Sequence, residues 1–144
     1  MTYQSITMRP AEIEAFLADS RHAVIATSRA NCSPQLSPIW YLYRDGKLYA
    51  GIDTGSAKYR NLMRDPRVSV CVDGAYPDAR YVVIYGMAKF IREASARRDD
   101  IVRAIYLRYH ETSEEAERSL RENSGSGSVV LVVTPQKIFG QDYN

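Results

Sequence analysis

The sequence predicts a mainly β protein: a six- to seven-stranded antiparallel barrel with helices inserted between its strands. Short runs rich in Val, Ile and Tyr recur along the chain, separated by turns that contain Gly, Pro and Asp. Between two of these runs stands Asp45-Gly46, a pair that strongly favours a tight hairpin and so makes its flanking strands antiparallel. Apolar residues at helical spacing are confined to a few segments, each with its own start or stop signal.

Residues 10–19 read as the first helix: Pro10 suits a first turn, and Ile13, Phe16 and Leu17 share one face. Residues 23–27 form a nearly all-apolar strand, followed by a polar turn and a single strand over 36–43. The hairpin returns the chain along 47–52. Ser56 is a good N-cap for a helix over 56–65, which Pro66 stops because the residue before a proline avoids the α region. Strands at 68–72 and 80–91 flank a turn at 73–78. Residues 95–109 form a helix with Val102, Ile105 and Tyr109 on its buried side, and Thr112 with Glu115 is a capping box that opens another helix ending near Glu122. Residues 124–128 read as a flexible Gly/Ser connector without the Gly-Lys-Ser/Thr of a phosphate loop. Residues 129–134 are too apolar to face water and should fill the barrel, while Pro135 demotes 137–139 to a short edge strand or tail.

With 144 residues, one domain spanning 1–144 is expected, large enough to bury a core. No apolar run approaches the roughly 18 residues of a membrane helix. Met1-Thr2-Tyr3-Gln4-Ser5 lacks the basic and apolar regions of a signal peptide, so a cytoplasmic protein with no membrane partner is expected. A net charge of +2 is too mild to imply nucleic acid, and the acids Asp99, Asp100, Glu111, Glu114, Glu115 and Glu117 dilute the helical region further. Cys32 and Cys71 sit in no CxxC and make no metal site; Cys71 reads as a buried strand residue and Cys32 as a spectator thiol in a polar turn. The chain holds 11 tyrosines against 3 phenylalanines, a bias that suits half-wet barrel mouths and interfaces.

Two stretches carry chemistry. In residues 55–67, Tyr59, Leu62 and Met63 share a helix face that can pack on the sheet, while Lys58 and Asn61 share another. Ser56 and Lys58 stand in the first turn, where free N–H groups and the helix dipole favour an anion. A lysine there is disfavoured unless something negative, such as a phosphate, sits beside it; the plainer reading is a solvated basic surface helix. In residues 34–41, Pro34 and Pro38 cannot both belong to a central, fully paired strand, so backbone groups are left free to meet the edge of a ligand ring. An ordinary edge strand protected by proline explains the same pattern. Trp40 reads as core. His22 and His110 have no acidic or cysteine partner at a diagnostic spacing and read as strand-start and helix-end residues. With no GxSxG, HExxH or GxGxxG, any catalysis would rest on a cofactor that the protein binds and orients.

Taken in order, Ala26-Thr27, the 34–38 Pro-Gln-Leu-Ser-Pro stretch, the Asp45-Gly46 hairpin, the 56–62 Ser-Ala-Lys-Tyr-Arg-Asn-Leu run and Arg64-Asp65-Pro66-Arg67 resemble the pyridoxamine 5'-phosphate oxidase-like split barrels. Within these, the chain resembles the small flavin- and deazaflavin-dependent oxidoreductases. The resemblance implies a split β-barrel that forms a homodimer, with cofactor sites in the grooves between protomers. It implies deazaflavin coenzyme F-420 or FMN as cofactor, its phosphate held by Ser56, Ala57, Lys58 and Asn61. Gln35, Ser37, Pro38 and Ile39 would lie along the ring, and Tyr76 and Tyr81 would close the site from the other subunit. Relatives that grip the deazaflavin often carry an extra arginine where this chain has Gly55-Ser56. The arginine- and tryptophan-rich C-terminus of true pyridoxamine phosphate oxidases is missing, which argues against vitamin B6 oxidation. The implied activity is hydride transfer between the cofactor and a small conjugated organic substrate, with no catalytic side chain of the protein assigned. A non-catalytic carrier of a flavin or another pigment is the alternative.

Overall fold

The elements follow one another as β1 (Ile6–Thr7), α1 (Pro10–Ala18), β2 (His22–Ser28), β3 (Pro34–Ile39), β4 (Leu42–Arg44), β5 (Lys47–Asp53), α2 (Ala57–Arg64), β6 (Arg67–Asp73), β7 (Arg80–Ile91), α3 (Ala96–Tyr109), α4 (Ser113–Asn123) and β8 (Ser128–Asp142). They come from a computed structural model that describes residues 4–123 and 127–144. The strands among these residues make one curled antiparallel sheet of eight strands in the order β3-β2-β6-β7-β8-β5-β4, with β1 against β8. Residues 124–126 of the expected connector lie outside the described residues.

Strand alternation places the core. Ile25 on β2, Val68, Val70 and Val72 on β6, Val82 and Ile84 on β7, and Leu48, Ala50 and Ile52 on β5 all point inward and are almost fully buried. Burying each of these valine, leucine and isoleucine side chains contributes about 1.5–3 kcal/mol, so the register of every long strand is fixed by which face is apolar. The hairpin behaves as its sequence demands: Asp45 and Gly46 both take positive φ, 52° and 74°, the geometry of a type I′ turn.

Several expectations are corrected by the structure. Residues 36–43 are not one strand but two, β3 and β4, at opposite ends of the sheet. The chain leaves the sheet's edge at Trp40 and re-enters beside β5 two residues later. Both prolines fit β3 because it is an edge strand, paired to β2 alone. Pro135 does not end the last strand either. β8 runs unbroken through it in the middle of the sheet, and the register against β7 slips between Tyr85 and Gly86 to absorb it. Gly86 is what makes this bulge possible, since a Cβ there would lie 2.4 Å from the Thr134 carbonyl oxygen. Cys71 is exposed, because it alternates with the buried Val70 and Val72 and so faces outward.

The C-terminal end of α1 is tied down by donors from three places. Arg21 Nε donates to Phe16 O at 2.7 Å, and the Tyr41 hydroxyl lies 3.1 Å from Leu17 O and 2.9 Å from Asp19 O. From α3, Arg108 donates to Ala18 O at 2.6 Å, Asp19 O at 2.7 Å and, through Nε, Tyr41 O at 2.9 Å. A helix end leaves its last carbonyls without intrahelical partners, and a guanidinium both bonds them and opposes the negative end of the dipole. Arg108→Ala should therefore destabilise the protein by about 2 kcal/mol in urea denaturation. Arg108→Lys should recover less than half of that loss, because one ammonium cannot span three carbonyls.

Candidate functional site

The curl of the sheet leaves a gap between its two ends. β3 presents an unpaired edge on one side. On the other, β4 pairs only with residues 47–49 of β5, so the rest of β5 is open toward the gap. Here lies a groove of about 340 Å³, to which β3 contributes Pro38 and Ile39, the linker Trp40, β5 Gly51, α2 Lys58 and α3 Ile105 with Tyr106. Such a volume is at the small end of the range for organic ligands, about 300–1,000 Å³.

Lys58 dominates the groove's chemistry. Its ammonium reaches from α2 to Ser37 Oγ on β3, 3.4 Å away, and among the described residues no carboxylate pairs with it. Burial lowers its pKa from the usual lysine value. A half-buried cation at a helix N-terminus, with no acidic residue in that first turn, is electrostatically unsatisfied in the direction that an anion corrects. Ser56 caps α2, its hydroxyl accepting from Tyr59 N at 3.3 Å and donating to Asp53 O at 2.7 Å. The N–H groups of Ala57 and Lys58 find no acceptor among the described residues. These two N–H groups, with the ammonium, form a donor set suited to a phosphate.

The other expected residues divide. Gln35 and Ser37 face the inner side of β3; Gln35 Oε1 accepts from Thr27 Oγ1 at 3.3 Å. Asn61 turns away from the groove and is only 7% exposed. Its amide donates to Thr27 Oγ1 at 3.1 Å and its carbonyl accepts from Arg64 at 3.1 Å, so it pins α2 to β2. Tyr76 is fully exposed on the turn after β6, and Tyr81 stacks against Tyr143 at 6.3 Å; neither lines the groove.

Four lining residues were not anticipated from sequence: Trp40, Gly51, Ile105 and Tyr106. Trp40, expected in the core, is 47% exposed. It stacks on Tyr109 with ring centroids 5.1 Å apart and meets the edges of Tyr106 and His110. Tyr106, Tyr109 and His110 stand at i, i+3, i+4 on α3, a spacing visible in the sequence that would have marked this aromatic comb. Gly51 was likewise legible as an isolated glycine inside a strand. Burial raises the Tyr106 phenol above its ordinary pKa, keeping it a neutral hydroxyl at neutral pH. His22 begins β2 and His110 caps α3, as expected, and both line a further groove of about 620 Å³ that shares Pro38, Ile39 and Trp40. Both ring nitrogens of His110 are engaged, with Tyr106 O at 2.8 Å and Ser119 Oγ at 2.9 Å.

Comparison with known proteins fits this geometry. The profile described as "Pyridoxamine 5'-phosphate oxidase" matches residues 10–142, nearly the whole chain. The chain belongs to the pyridoxamine 5'-phosphate oxidase family. Among solved structures it is similar to the conserved hypothetical protein Rv2991 of Mycobacterium tuberculosis, at 28% identity over 96% of this chain and 88% of that one, with a TM-score of 0.82. A structure called F420 Reductase shares the family fold at 22% identity, over 87% of this chain and 94% of that one, with a TM-score of 0.64. HutZ, described as a heme storage protein of Vibrio cholerae, shares it at 17% identity over 95% and 98% of the two chains, with a TM-score of 0.72. The last two likenesses are of fold.

The placement of Asn61 within this family fold makes a direct prediction. Asn61→Ala removes a buried amide with its hydrogen bonds to Thr27 and Arg64, leaving the Thr27 hydroxyl with Gln35 as its partner, so it should lower stability by about 1–3 kcal/mol in chemical denaturation.

Proposed function

We propose that this protein is an oxidoreductase that binds deazaflavin coenzyme F-420 or FMN in the split of its barrel and passes hydride between it and a small conjugated organic substrate. The observation that carries this reading is the half-buried Lys58 ammonium, without a carboxylate partner among the described residues, at the start of α2 and beside the open edge of β3. The family fold supports it. Lys58, with the N–H groups of Ala57 and Lys58, would hold the phosphate. The strand from Gln35 to Ile39 would run beside the ring. Asn61 would act by fixing α2, and Ser56 by capping it. Such a cofactor supplies, when bound, a two-electron hydride donor or acceptor. The protein's share is orientation: α2 fixes one end of the cofactor, the β3 edge and α3 wall the groove, and Tyr106 offers a neutral hydroxyl for a hydrogen bond.

The reading extends to assembly. Across the sheet, Pro38, Val24, Cys71, Val83 and Phe139 are successive cross-strand partners that all face outward. This apolar row begins at the groove itself, and a second copy of the chain laid over it would bury the row and complete the site with Tyr76 and Tyr81. Sedimentation should give a dimer at micromolar concentration; a cofactor-loaded monomer would refute the homodimer.

Two substitutions test the site from opposite directions. Lys58→Ala should lose roughly one to two decades of affinity for FMN or F-420, the worth of about 1.5–3 kcal/mol from a charge-assisted contact. At Gly51 an added Cβ would meet nothing within 4 Å. Gly51→Val should thus fold with stability within about 0.5 kcal/mol of wild type or better, yet weaken cofactor binding at least about ten-fold by filling the groove. Unchanged affinity in both variants would place the cofactor elsewhere. A protein that binds the cofactor but neither bleaches with reductant nor recovers with acceptor would be a carrier.

A further inference from the structure

We propose that the free surface of Trp40 is the seat of the organic substrate, and that this substrate is a flat, conjugated molecule of one or two fused rings, neutral or anionic. The inference rests on the reading that the cofactor ring lies along β3 in the groove that holds Lys58. Trp40, which borders that groove and the next one, is then the aromatic surface beside it.

The ring is placed and held as a platform. On one side it stacks on Tyr109, 5.1 Å between centroids and 6° from parallel, while Tyr106 and His110 meet it edge-on at 5.8 and 5.5 Å. The backbone beside it cannot drift: Tyr41 N donates to the Tyr109 hydroxyl at 3.3 Å and Arg108 Nε donates to Tyr41 O at 2.9 Å. Nevertheless 47% of Trp40 stays open. An indole so fully braced, yet half exposed, loses little freedom when a second flat ring settles on it. The groove of about 340 Å³ with Lys58 and that of about 620 Å³ with His22 meet along Pro38, Ile39 and Trp40. A substrate in the larger groove therefore lies next to the residues that wall whatever lies against β3 in the smaller one.

Charge narrows the substrate class. Lys58, Arg21 and Arg108 line the two grooves against one acid, Glu111; Arg21 is paired with Asp19 and Asp78, at 3.2 and 3.4 Å, so Lys58 and Arg108 carry the excess charge. Arg108 donates to the carbonyl oxygens of Leu17, Ala18, Asp19 and Tyr41, and no carboxylate takes part in these bonds. Cationic rings are disfavoured by this field, and neutral or anionic ones are accepted.

Trp40 is the chain's single tryptophan, so fluorescence excited selectively in the indole band, beyond the tyrosine absorption, reports on this ring. Menadione, a neutral fused-ring quinone, is the probe. Titrated into cofactor-free protein, it should quench the tryptophan emission saturably. In equilibrium dialysis, Trp40→Leu, which keeps apolar bulk but removes the ring, should raise the menadione Kd about three- to ten-fold. Trp40→Phe should stay within about two-fold of wild type, and in Trp40→Leu FMN affinity should fall by a clearly smaller factor than menadione affinity. Quenching that never saturates, or a menadione Kd that is the same in Trp40→Leu, overturns the proposal. So does a Trp40→Leu protein that loses FMN affinity as strongly as menadione affinity, since Trp40 would then be a cofactor contact. If wild type binds menadione in a Trp40-dependent way but neither FMN nor F-420, the stacking site stands and the oxidoreductase reading falls.

Discussion

The four carbonyls at the end of α1 are the constraint on which the groove's geometry depends. A helix end leaves its last carbonyls without intrahelical partners, and side-chain donors that satisfy them also fix where the helix sits. This chain draws the donors from Arg21 just downstream, from Tyr41 on the linker between β3 and β4, and from Arg108 near the end of α3. The same bonds therefore fix three things at once: the seat of α1 over the barrel, the path of the Trp40-Tyr41 linker across the gap, and the angle at which α3 lies over β5. Burial drives the Tyr41 phenol well above its ordinary pKa, so it remains a donor throughout the physiological range. Without this knot the C-terminal part of α3, which carries Tyr106 and Tyr109, would rest on the packing of Ile101 and Ile105 against the sheet.

Much of this was legible beforehand. The helices, the Asp45-Gly46 hairpin and the strand at Arg80–Ile91 follow from local rules, because caps, turn chemistry and alternation act over a few residues. What local rules could not show were the places where distant pairing overrides them. Residues 36–43 look continuous because both halves are apolar, and only the curling of the whole sheet assigns them to opposite ends. Pro135 looks like a terminator unless one knows that Gly86, far away in sequence, will lie opposite it. Cys71 and Trp40 were misjudged for a related reason: apolar character predicts burial, but the outer face of an open sheet and the mouth of its gap are apolar too.

The site was legible to a similar degree. Lys58 stood out because a cation at a helix start is electrostatically misplaced, and the structure leaves it without a carboxylate among the described residues. Asn61 was assigned to the same helix turn by spacing, and its spacing is right. Its direction is not toward the groove, since Thr27 and Arg64 satisfy it from the protein's side. Ser56 illustrates the same point: as an N-cap it spends its hydroxyl within the chain. Of the residues that were missed, Ile105 and Tyr106 belong to α3, Trp40 to the linker after β3 and Gly51 to β5; their spacing shows a pattern, but only the assembled sheet brings them to one groove.

Gly51 separates two demands that proteins usually meet with the same residues. The core faces of β5 are held by Leu48, Ala50 and Ile52, and any change in them is felt by the fold. Gly51 faces the other way, into open space, with an ordinary strand backbone that any residue can adopt. The depth of the groove is thus set at a position that folding does not police. Descendants of this chain could widen or narrow what they accept through that one codon while keeping their stability intact. A barrel whose capacity is adjustable from outside its core is well suited to diversify across many small ligands on one scaffold.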